Sequence, residues 1–337
     1  MMLTAVRCLS AVGLLLAGIG APAASAAMAP ARCDDVAVGL QVLGSGGPIP
    51  LPGRASAGYL LWVGGKARVL IDAGGGVFLR FGEAGASLAD LDAVLITHLH
   101  TDHVADLVAL LKSGYFTDRN RALSIFGPRG NGRFPGMREF VDAHFDADRG
   151  SYRYLRGFNA GEEGLFRLDV FEVGSRQGAD ATRQVSNGVQ MRAVAVAHGP
   201  VPSLGFRLDV TDADHQYAIA LSGDQNLRTT AFTSLAEGVD LLVMPMAIGQ
   251  TSTSVQRSLH ATPRDIGLAA EQAKAARLVV SHFMPRSLAA PESNRVALAE
   301  GYHGEIVEAR DLLYLPLRPI SSEHGSDLPR EPQSDVQ

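Results

Sequence analysis

The chain has 337 residues, of which 46% are hydrophobic and 19% charged, and its formal net charge is −5. This length allows one large α/β domain or two smaller ones, and the composition is that of a globular protein with an ample core. The acidic balance lacks the basic footprint of nucleic-acid-binding proteins. The sequence therefore predicts that a nucleic-acid partner is unlikely.

The first 26 residues predict a signal peptide that is cleaved near Ala26. A basic residue precedes the apolar run 9–19, and small residues at 24–26 form the cleavage site. The apolar run is too short for a comfortable membrane span. We therefore expect a periplasmic or secreted protein with no membrane span after cleavage. Cleavage removes Cys8 and leaves Cys33 alone, so no internal disulfide is predicted.

A globular domain is predicted over residues 34–317, followed by a polar, disordered tail over 318–337. Its first three strands are predicted at 36–43, 59–63 and 68–72. Asp72 ends the third strand at a glycine-rich turn that starts a helix. The Gly-x-Gly-x-x-Gly spacing of a dinucleotide site is absent there, so this turn is not interpreted as a nucleotide loop.

The only crowded group of histidines lies at residues 97–103, with the sequence Thr-His-Leu-His-Thr-Asp-His. An apolar run at 93–96 predicts a buried strand before it, and residues 104–111 carry apolar side chains at helical spacing after it. The group is therefore predicted to lie on a strand-to-helix turn. Asp102 is favoured by the positive end of that helix and is a candidate for its cap.

This turn offers more ligands than one ion needs. A catalytic tetrahedral zinc takes three protein ligands plus water, whereas four candidate side chains lie within six residues, namely His98, His100, Asp102 and His103. We expect two neighbouring ions, the first two side chains on one ion and the last two on the other. The alternative is a solvent-exposed histidine-rich turn, which the preceding buried strand disfavours.

His-x-His-x-Asp-His after a hydrophobic strand resembles the signature of the metallo-β-lactamase superfamily. The resemblance implies an α/β fold: an αββα sandwich of two mixed β-sheets packed face to face, with helices outside and a metal site along one edge. The run from Asp72 is similar to the Asp-x-Gly loop of ribonuclease Z and arylsulfatase-type members. Asp72 would there support the metal loop from behind; the alternative is an ordinary cap at a strand end.

Strands and helices are predicted through the second half of the chain. Strands are predicted at 123–128, 165–173, 189–197, 204–210, 217–221, 239–244, 278–281, 305–307 and 312–315. Helices are predicted at 227–236, 262–276 and 291–300, with Thr262 as the cap of the second and Pro263 at its first position. Residues 133–183 are the least readable part of the sequence, and they lack the long basic stretch of the tRNA-binding arm found in ribonuclease Z proteins.

Three isolated residues, His198, Asp224 and His282, end predicted strands and match the family pattern. The resemblance implies that Asp224 bridges two divalent ions, most often Zn²⁺, with Mn²⁺ or Fe²⁺ as alternatives. It assigns one ion to His98, His100, His198 and Asp224, and the other to Asp102, His103, Asp224 and His282. A hydroxide shared by the ions would attack an ester.

Two further residues are candidates for contacts with substrate. His260 and Thr262 are similar to the His-x-Thr element of ribonuclease Z-like members, whose histidine contacts the scissile phosphate. The resemblance therefore makes His260, together with Asp102, a candidate catalytic residue of this chain. It would donate a hydrogen bond or a proton to the leaving group or a non-bridging oxygen. The alternative is a solvent-facing loop histidine. Arg286 is a candidate for holding an anionic substrate.

The leading hypothesis is an exported dinuclear metal hydrolase that attacks a phosphodiester or sulfate ester of a small molecule. The alternative is a lactonase or β-lactamase, although class B β-lactamases use a cysteine ligand and neither cysteine lies near the motifs. A tRNA 3′ endonuclease ranks lower, because the signal peptide, the acidic charge and the missing arm oppose it. The intact ligand set disfavours a non-catalytic binding protein, and a homodimer is compatible with the sequence.

Overall fold

The computed structural model describes residues 37–173, 181–213 and 215–317. The predicted signal peptide (1–26) and the predicted tail (318–337) lie outside the described residues. Within the described ranges, no helix combines the length and apolar character that crossing a membrane requires.

Two seven-stranded sheets form the centre of the fold. The first has the order β14-β1-β2-β3-β4-β5-β6, with β1 (Val38–Gly44), β2 (Gly58–Val63), β3 (Lys66–Ile71), β4 (Ala93–Leu95), β5 (Leu123–Pro128), β6 (Leu168–Val173) and β14 (Tyr314–Pro316). The second has the order β13-β12-β11-β10-β9-β8-β7, with β7 (Ala181–Ser186), β8 (Val189–His198), β9 (Val201–Asp212), β10 (His215–Ser222), β11 (Leu241–Pro245), β12 (Arg277–Ser281) and β13 (Glu305–Glu308).

Both sheets are mixed in the same way. In the first, β14, β1, β2 and β3 pair antiparallel, and β3, β4, β5 and β6 pair parallel. In the second, β7 to β10 pair antiparallel and β10 to β13 pair parallel. Parallel strands present their carboxyl ends at one edge, where loops carry functional side chains. Each sheet therefore has one such edge.

Helices cover the outer faces of the sheets. They are α1 (Val77–Glu83), α2 (Thr101–Val104), α3 (Leu107–Ser113), α4 (Met137–Phe145), α5 (Ala231–Leu235), α6 (Ser254–Leu259), α7 (Pro263–Gln272), α8 (Pro285–Leu288) and α9 (Pro291–Gly301), with short 3₁₀ helices at Gly114–Phe116 and Arg153–Asn159.

The apolar side chains of β2 show why the layers form. Tyr59 and Leu61 face the second sheet, whereas Leu60 and Trp62 pack against the outer helices. Successive residues of a strand point to opposite faces, so a strand that is apolar at every position must be covered on both sides. The αββα sandwich that the sequence predicted is confirmed.

Residues 133–183 pack onto the body of the protein where the structure describes them. Helix α4 and the 3₁₀ helix Arg153–Asn159 bury Met137, Phe145 and Phe158 against the first sheet. The sequence missed these elements, and β7 as well, because alternating charges on their exposed faces mask the few apolar positions that are buried.

The helix predicted after the histidine motif is two short helices, α2 and α3. The break occurs because the chain bonds to the loop after β3: Ala73 N–H donates to the His103 carbonyl (2.7 Å), and Asp106 N–H donates to the Ala73 carbonyl (2.9 Å). The residue that caps α2 is His100, without a side-chain capping bond. The prediction that Asp102 caps the helix is therefore wrong, and its carboxylate is available to the site.

Candidate metal centre

The candidate site lies where loops from the two sheets meet. Residues 98–103 follow β4 of the first sheet, whereas the second sheet contributes His198 at the end of β8, Asp224 after β10 and His282 after β12. His260 lies between α6 and α7. A backbone hydrogen bond from Leu204 N–H to the Thr97 carbonyl (2.9 Å) joins the sheets here.

A first group of nitrogens comes from three histidines. His98 Nε2 lies 3.0 Å from His100 Nδ1, and the His198 ring centroid lies 5.1 Å from each of the other two. His198 Nδ1 is 2.9 Å from the Leu259 carbonyl. With that nitrogen bonded to the backbone, Nε2 is directed into the site, where it finds no hydrogen-bond partner in the described part of the chain.

A second group consists of Asp102, His103 and His282. His282 Nε2 lies 3.1 Å from Asp102 Oδ2 and 3.2 Å from His103 Nε2. All three side chains are buried. In each of the two groups, one ligand atom per residue lies within 4.8 Å of the others, which is close enough to surround one ion.

Asp224 lies between the two groups. Its Oδ2 is 3.5 Å from His282 Nε2 and 3.9 Å from both His103 Nε2 and His198 Nε2. Burial alone would raise the pKa of this carboxyl group, but the imidazoles of His282 and His103, with other nearby histidines, hold its pKa well below the usual 3.8. The carboxylate is therefore ionised and has histidines on both sides.

Asp72 lies behind the histidine motif. Its Oδ2 accepts from Thr97 Oγ1 (2.9 Å) and lies 2.7 Å from His103 Nδ1, while its Oδ1 accepts from Thr97 N–H (2.8 Å). Burial disfavours the charged ring, but the carboxylates of Asp72, Asp224 and Asp102 together outweigh burial and raise the pKa of His103 to about 9. These bonds leave His103 Nε2 facing the cluster.

Two site residues have left-handed backbone conformations. The φ angle is 58° at Asp72 and 57° at His282, and neither residue is glycine. Such a conformation costs about 1–3 kcal/mol and persists where the surrounding structure imposes it, often at functional sites. Both residues directly follow a strand, β3 and β12, so the turn out of each strand sets the direction of the side chain.

The side chains present fit divalent metal ions. Within the described ranges, buried polar atoms without a hydrogen-bond partner include His198 Nε2, Asp224 Oδ1 and His260 Nδ1. Each such atom costs about 1–3 kcal/mol when buried unpaired, so three in one cluster indicate a missing partner. Imidazole nitrogens and carboxylate oxygens are the donors that zinc and related ions prefer.

His260 belongs to the same cluster. Its Nδ1 lies 3.8 Å from Asp224 Oδ2, and its ring centroid lies 5.2 Å from that of His198. The alternative of a solvent-facing histidine is wrong, because only 6% of the residue is exposed. Burial lowers its pKa to about 4. The loop that carries it is set by the capping box of α7, in which the Thr262 side chain accepts from Asp265 N–H.

Arg286 lies beside the cluster without contacting its ligands. Its guanidinium donates to the Ala247 carbonyl (3.1 Å) and lies 3.0 Å from Met284 Sδ. Its charge contributes to the lowered pKa of His260, which places the two groups within electrostatic range.

Two glycines shape the site and were not singled out from the sequence. A Cβ atom at Gly47 would lie 2.7 Å from His282 Cε1, and one at Gly74 would lie 2.0 Å from the Asp102 carbonyl oxygen. Their positions in glycine-rich loops before the histidine motif were visible in the sequence. Their closeness to the ligands was not, because it depends on how the loops approach in three dimensions.

Comparison with known proteins gives a family and a set of relatives. Residues 67–283 match the Beta-lactamase superfamily domain. The chain is 32% identical over 284 residues to ribonuclease Z of Mycolicibacterium paratuberculosis, which covers 81% of this chain and 95% of the relative. It is 30% identical over 280 residues to ribonuclease Z of Mycobacterium marinum, covering 80% and 94%.

Solved structures share the fold. The metallo-β-lactamase fold protein YhfI from Bacillus subtilis has a TM-score of 0.63 at 20% identity, covering 82% of this chain and 98% of that chain. The short form of human tRNase Z (ELAC1) also has a TM-score of 0.63 at 20% identity, covering 83% and 99%.

These comparisons correct one prediction. The expectation that a nucleic-acid partner is unlikely is wrong, because relatives that align over most of the chain are ribonucleases by name. The net charge of −5 misled because it sums the whole chain, including segments far from the site. Local potential at a cleft, rather than total charge, governs the approach of a charged substrate.

Proposed function

The chain belongs to the β-lactamase superfamily, and from that premise we propose that it is a dinuclear metal-dependent phosphodiesterase that cleaves RNA. One observation carries the proposal: a buried carboxylate, Asp224, lies between two groups of ligands that each have the size of a metal site. An RNA phosphodiester replaces the small-molecule ester as the leading substrate, because the relatives are named for RNA cleavage.

The proposed ligand sets follow the two groups. One ion is held by His98, His100, His198 and Asp224, and the other by Asp102, His103, Asp224 and His282. Zinc is the ion that such a set favours, with Mn²⁺ and Fe²⁺ as alternatives. When bound, two cations supply a hydroxide nucleophile near neutral pH and neutralise charge on the phosphate oxygens.

The protein's own contribution is to orient these ligands. The carboxylate of Asp72 and the carbonyl of Leu259 bond the outward nitrogens of His103 and His198, so that each ring presents Nε2 to the site. Ligands held in place need no reorganisation when charge develops on the phosphate.

His260 is proposed to hydrogen-bond the phosphate or the leaving group. It is buried beside Asp224, its Nδ1 has no hydrogen-bond partner in the described ranges, and it lies on a loop rather than on a strand of the sheet. Arg286, within electrostatic range of His260, would attract the anionic substrate on the same side.

Export remains part of the proposal. It is supported by three features of residues 1–26: the positive charge of Arg7, the apolar run that follows it and the small-residue cleavage site. N-terminal sequencing of protein recovered from the producing cells should give a mature chain that begins near residue 27. A chain that retains Met1 would show that the segment is not a signal.

The activity is tested with purified protein loaded with Zn²⁺. The substrates are a 3′-extended tRNA precursor, an unstructured RNA, bis(p-nitrophenyl) phosphate, an aryl sulfate and a lactone. We expect hydrolysis of RNA and of the phosphodiester chromogen, loss of both with a chelator, and recovery with added metal. Turnover of the lactone or the sulfate alone would overturn the proposal.

A further inference from the structure

A cavity of about 790 Å³ opens next to the candidate metal centre. Its walls come from the loop after β5, the end of β6, and the hairpin that joins β8 to β9. The lining side chains include Pro128, Arg129, Val196, Pro200, Pro202 and Leu204, and we name this cavity the hairpin groove. Its volume lies in the range of sites for small ligands, about 300–1,000 Å³.

Residues that line the hairpin groove are neighbours of residues in the metal centre. Gly199, in its wall, directly follows His198. On its floor, the Ser203 hydroxyl donates to the Asp224 carbonyl (3.0 Å), and Leu204 N–H donates to the Thr97 carbonyl (2.9 Å). The groove therefore borders the residues that carry two of the proposed ligands, His198 and Asp224.

The walls of the groove combine an apolar surface with a positive charge. Proline, valine and leucine side chains form the floor, and Arg129 is the sole charged residue among the lining residues that the structure describes. Its backbone is bonded to β6, because Arg129 N–H donates to the Val173 carbonyl (3.2 Å). Its side chain is exposed, and no ion pair found within the described ranges involves its guanidinium. Arg129 therefore places a positive charge at the wall of the groove.

A hydrogen bond joins the two walls of the groove. Asn131 donates through Nδ2 to the Pro200 carbonyl (3.0 Å), and its Oδ1 accepts from Phe134 N–H (3.0 Å). The first bond connects the loop after β5 to the tip of the hairpin, and the second lies within that loop.

We propose that the hairpin groove binds the nucleotide next to the scissile phosphate, with its base on the apolar floor and its backbone phosphate at Arg129. This inference rests on the proposed RNA phosphodiesterase function and adds a substrate subsite to it. A nucleotide matches an apolar surface beside a cation, because each nucleotide pairs a ring system with a negative charge. A purely apolar ligand would leave Arg129 unused.

The first test measures binding without turnover. A fluorescent 2′-O-methyl trinucleotide is titrated into metal-free protein, and anisotropy gives Kd at several salt concentrations. We expect Arg129→Ala to weaken binding about fivefold to tenfold and to reduce the slope of log K against log salt by about one, since one phosphate contact is lost. The control is Arg149→Ala, because the Arg149 side chain is 90% exposed and outside the groove; it should bind as the parent does.

The second test fills the groove. Ala195 is exposed on β8 and lines the groove, so the substitution Ala195→Trp fills the space proposed for the base. Gln190 is exposed on the same strand but lies outside the groove, so Gln190→Trp is the control. For metal-loaded protein, we expect the ratio of kcat/KM for an unmodified RNA trinucleotide to that for bis(p-nitrophenyl) phosphate to fall about tenfold in Ala195→Trp and to stay at the parent value in the control. Circular dichroism and metal content establish that each variant is folded.

The outcomes separate the two proposals. If the parent protein cleaves neither RNA nor the phosphodiester chromogen, the proposed function fails. If the parent cleaves both, the function stands. The subsite is then wrong if Arg129→Ala leaves the Kd for the trinucleotide unchanged and Ala195→Trp leaves the ratio of the two kcat/KM values unchanged. Weakened binding of inorganic phosphate alone, with trinucleotide binding unchanged, would also overturn the subsite.

Discussion

The two halves of the metal centre are built differently. The first sheet supplies four ligand candidates from a single turn, residues 98–103, within one loop after β4. The second sheet supplies His198, Asp224 and His282 from three different strand ends, spread over 85 residues, with His260 between them. Apart from the half-buried His100, both sets are buried, and they approach to 3.1 Å between His282 Nε2 and Asp102 Oδ2.

The difference concerns how each set is positioned. In the turn, local backbone geometry places the side chains, and one buried carboxylate, Asp72, orients the last of them. In the second sheet, the positions depend on strand order, because β10 and β12 are parallel to β11 and end at the same edge. A change in the turn should therefore act locally, whereas a change at Asp224 should affect both groups.

The largest effect is expected for Asp224→Ala. Because Asp224 lies between the two ligand groups, its loss should release both ions and reduce phosphodiester hydrolysis to background, a loss of several kcal/mol of transition-state stabilisation. Metal analysis of the purified variant checks this. Asp209→Ala, at an ion pair with Arg192 and Arg207 on the sheet surface, is the control and should retain metal. Full occupancy in Asp224→Ala would contradict the bridging role.

A smaller effect on metals, but a large one on rate, is expected for His260→Ala. If His260 contacts the phosphate, metal content should stay at the parent level while kcat falls about 10²–10⁴-fold. His303→Ala is a matched control, since its side chain is 78% exposed. Loss of one ion in His260→Ala would instead make this residue a ligand, as its place beside His198 and Asp224 allows.

Asp72→Ala separates orientation from ligation in the first set. Without the carboxylate, His103 loses the partner of its Nδ1, and metal affinity should weaken by about 10–100-fold. Competition with a chromogenic chelator measures the affinity. Asp72→Asn keeps the size and part of the bonding, so an intermediate value is expected. Equal affinity in all three proteins would show that the bond to Asp72 does not orient His103.

The smallest effect is expected for Gly47→Ala. The new methyl group would lie 2.7 Å from His282 Cε1, so the ring must move and metal affinity should weaken about threefold to tenfold. Gly75→Ala is the control, because a Cβ at Gly75 meets no atom within 4 Å. A parent-like affinity for Gly47→Ala would mean that the loop moves more easily than His282.

Much of the part of the site that comes from the first sheet could be predicted from local sequence. The motif at 97–103 and the strand before it were predicted because ligand spacing and apolar runs are properties of neighbouring residues. The predicted continuous helix was wrong, because the break between α2 and α3 depends on bonds to Ala73, about 30 residues away. The packed segment around α4 was missed for a related reason, since its apolar residues are defined by what they bury against.

What the sequence determined by itself was chemical identity: which side chains can bind metal and which runs form strands. What only the tertiary structure decided was proximity. The position of Asp224 between two histidine groups, the burial of His260 and the groove beside His198 all depend on how the two sheets pack face to face, with the loops at one edge of each brought together. Alignment of this kind results from the packing of many residues distant in sequence, and no short stretch of sequence contains it.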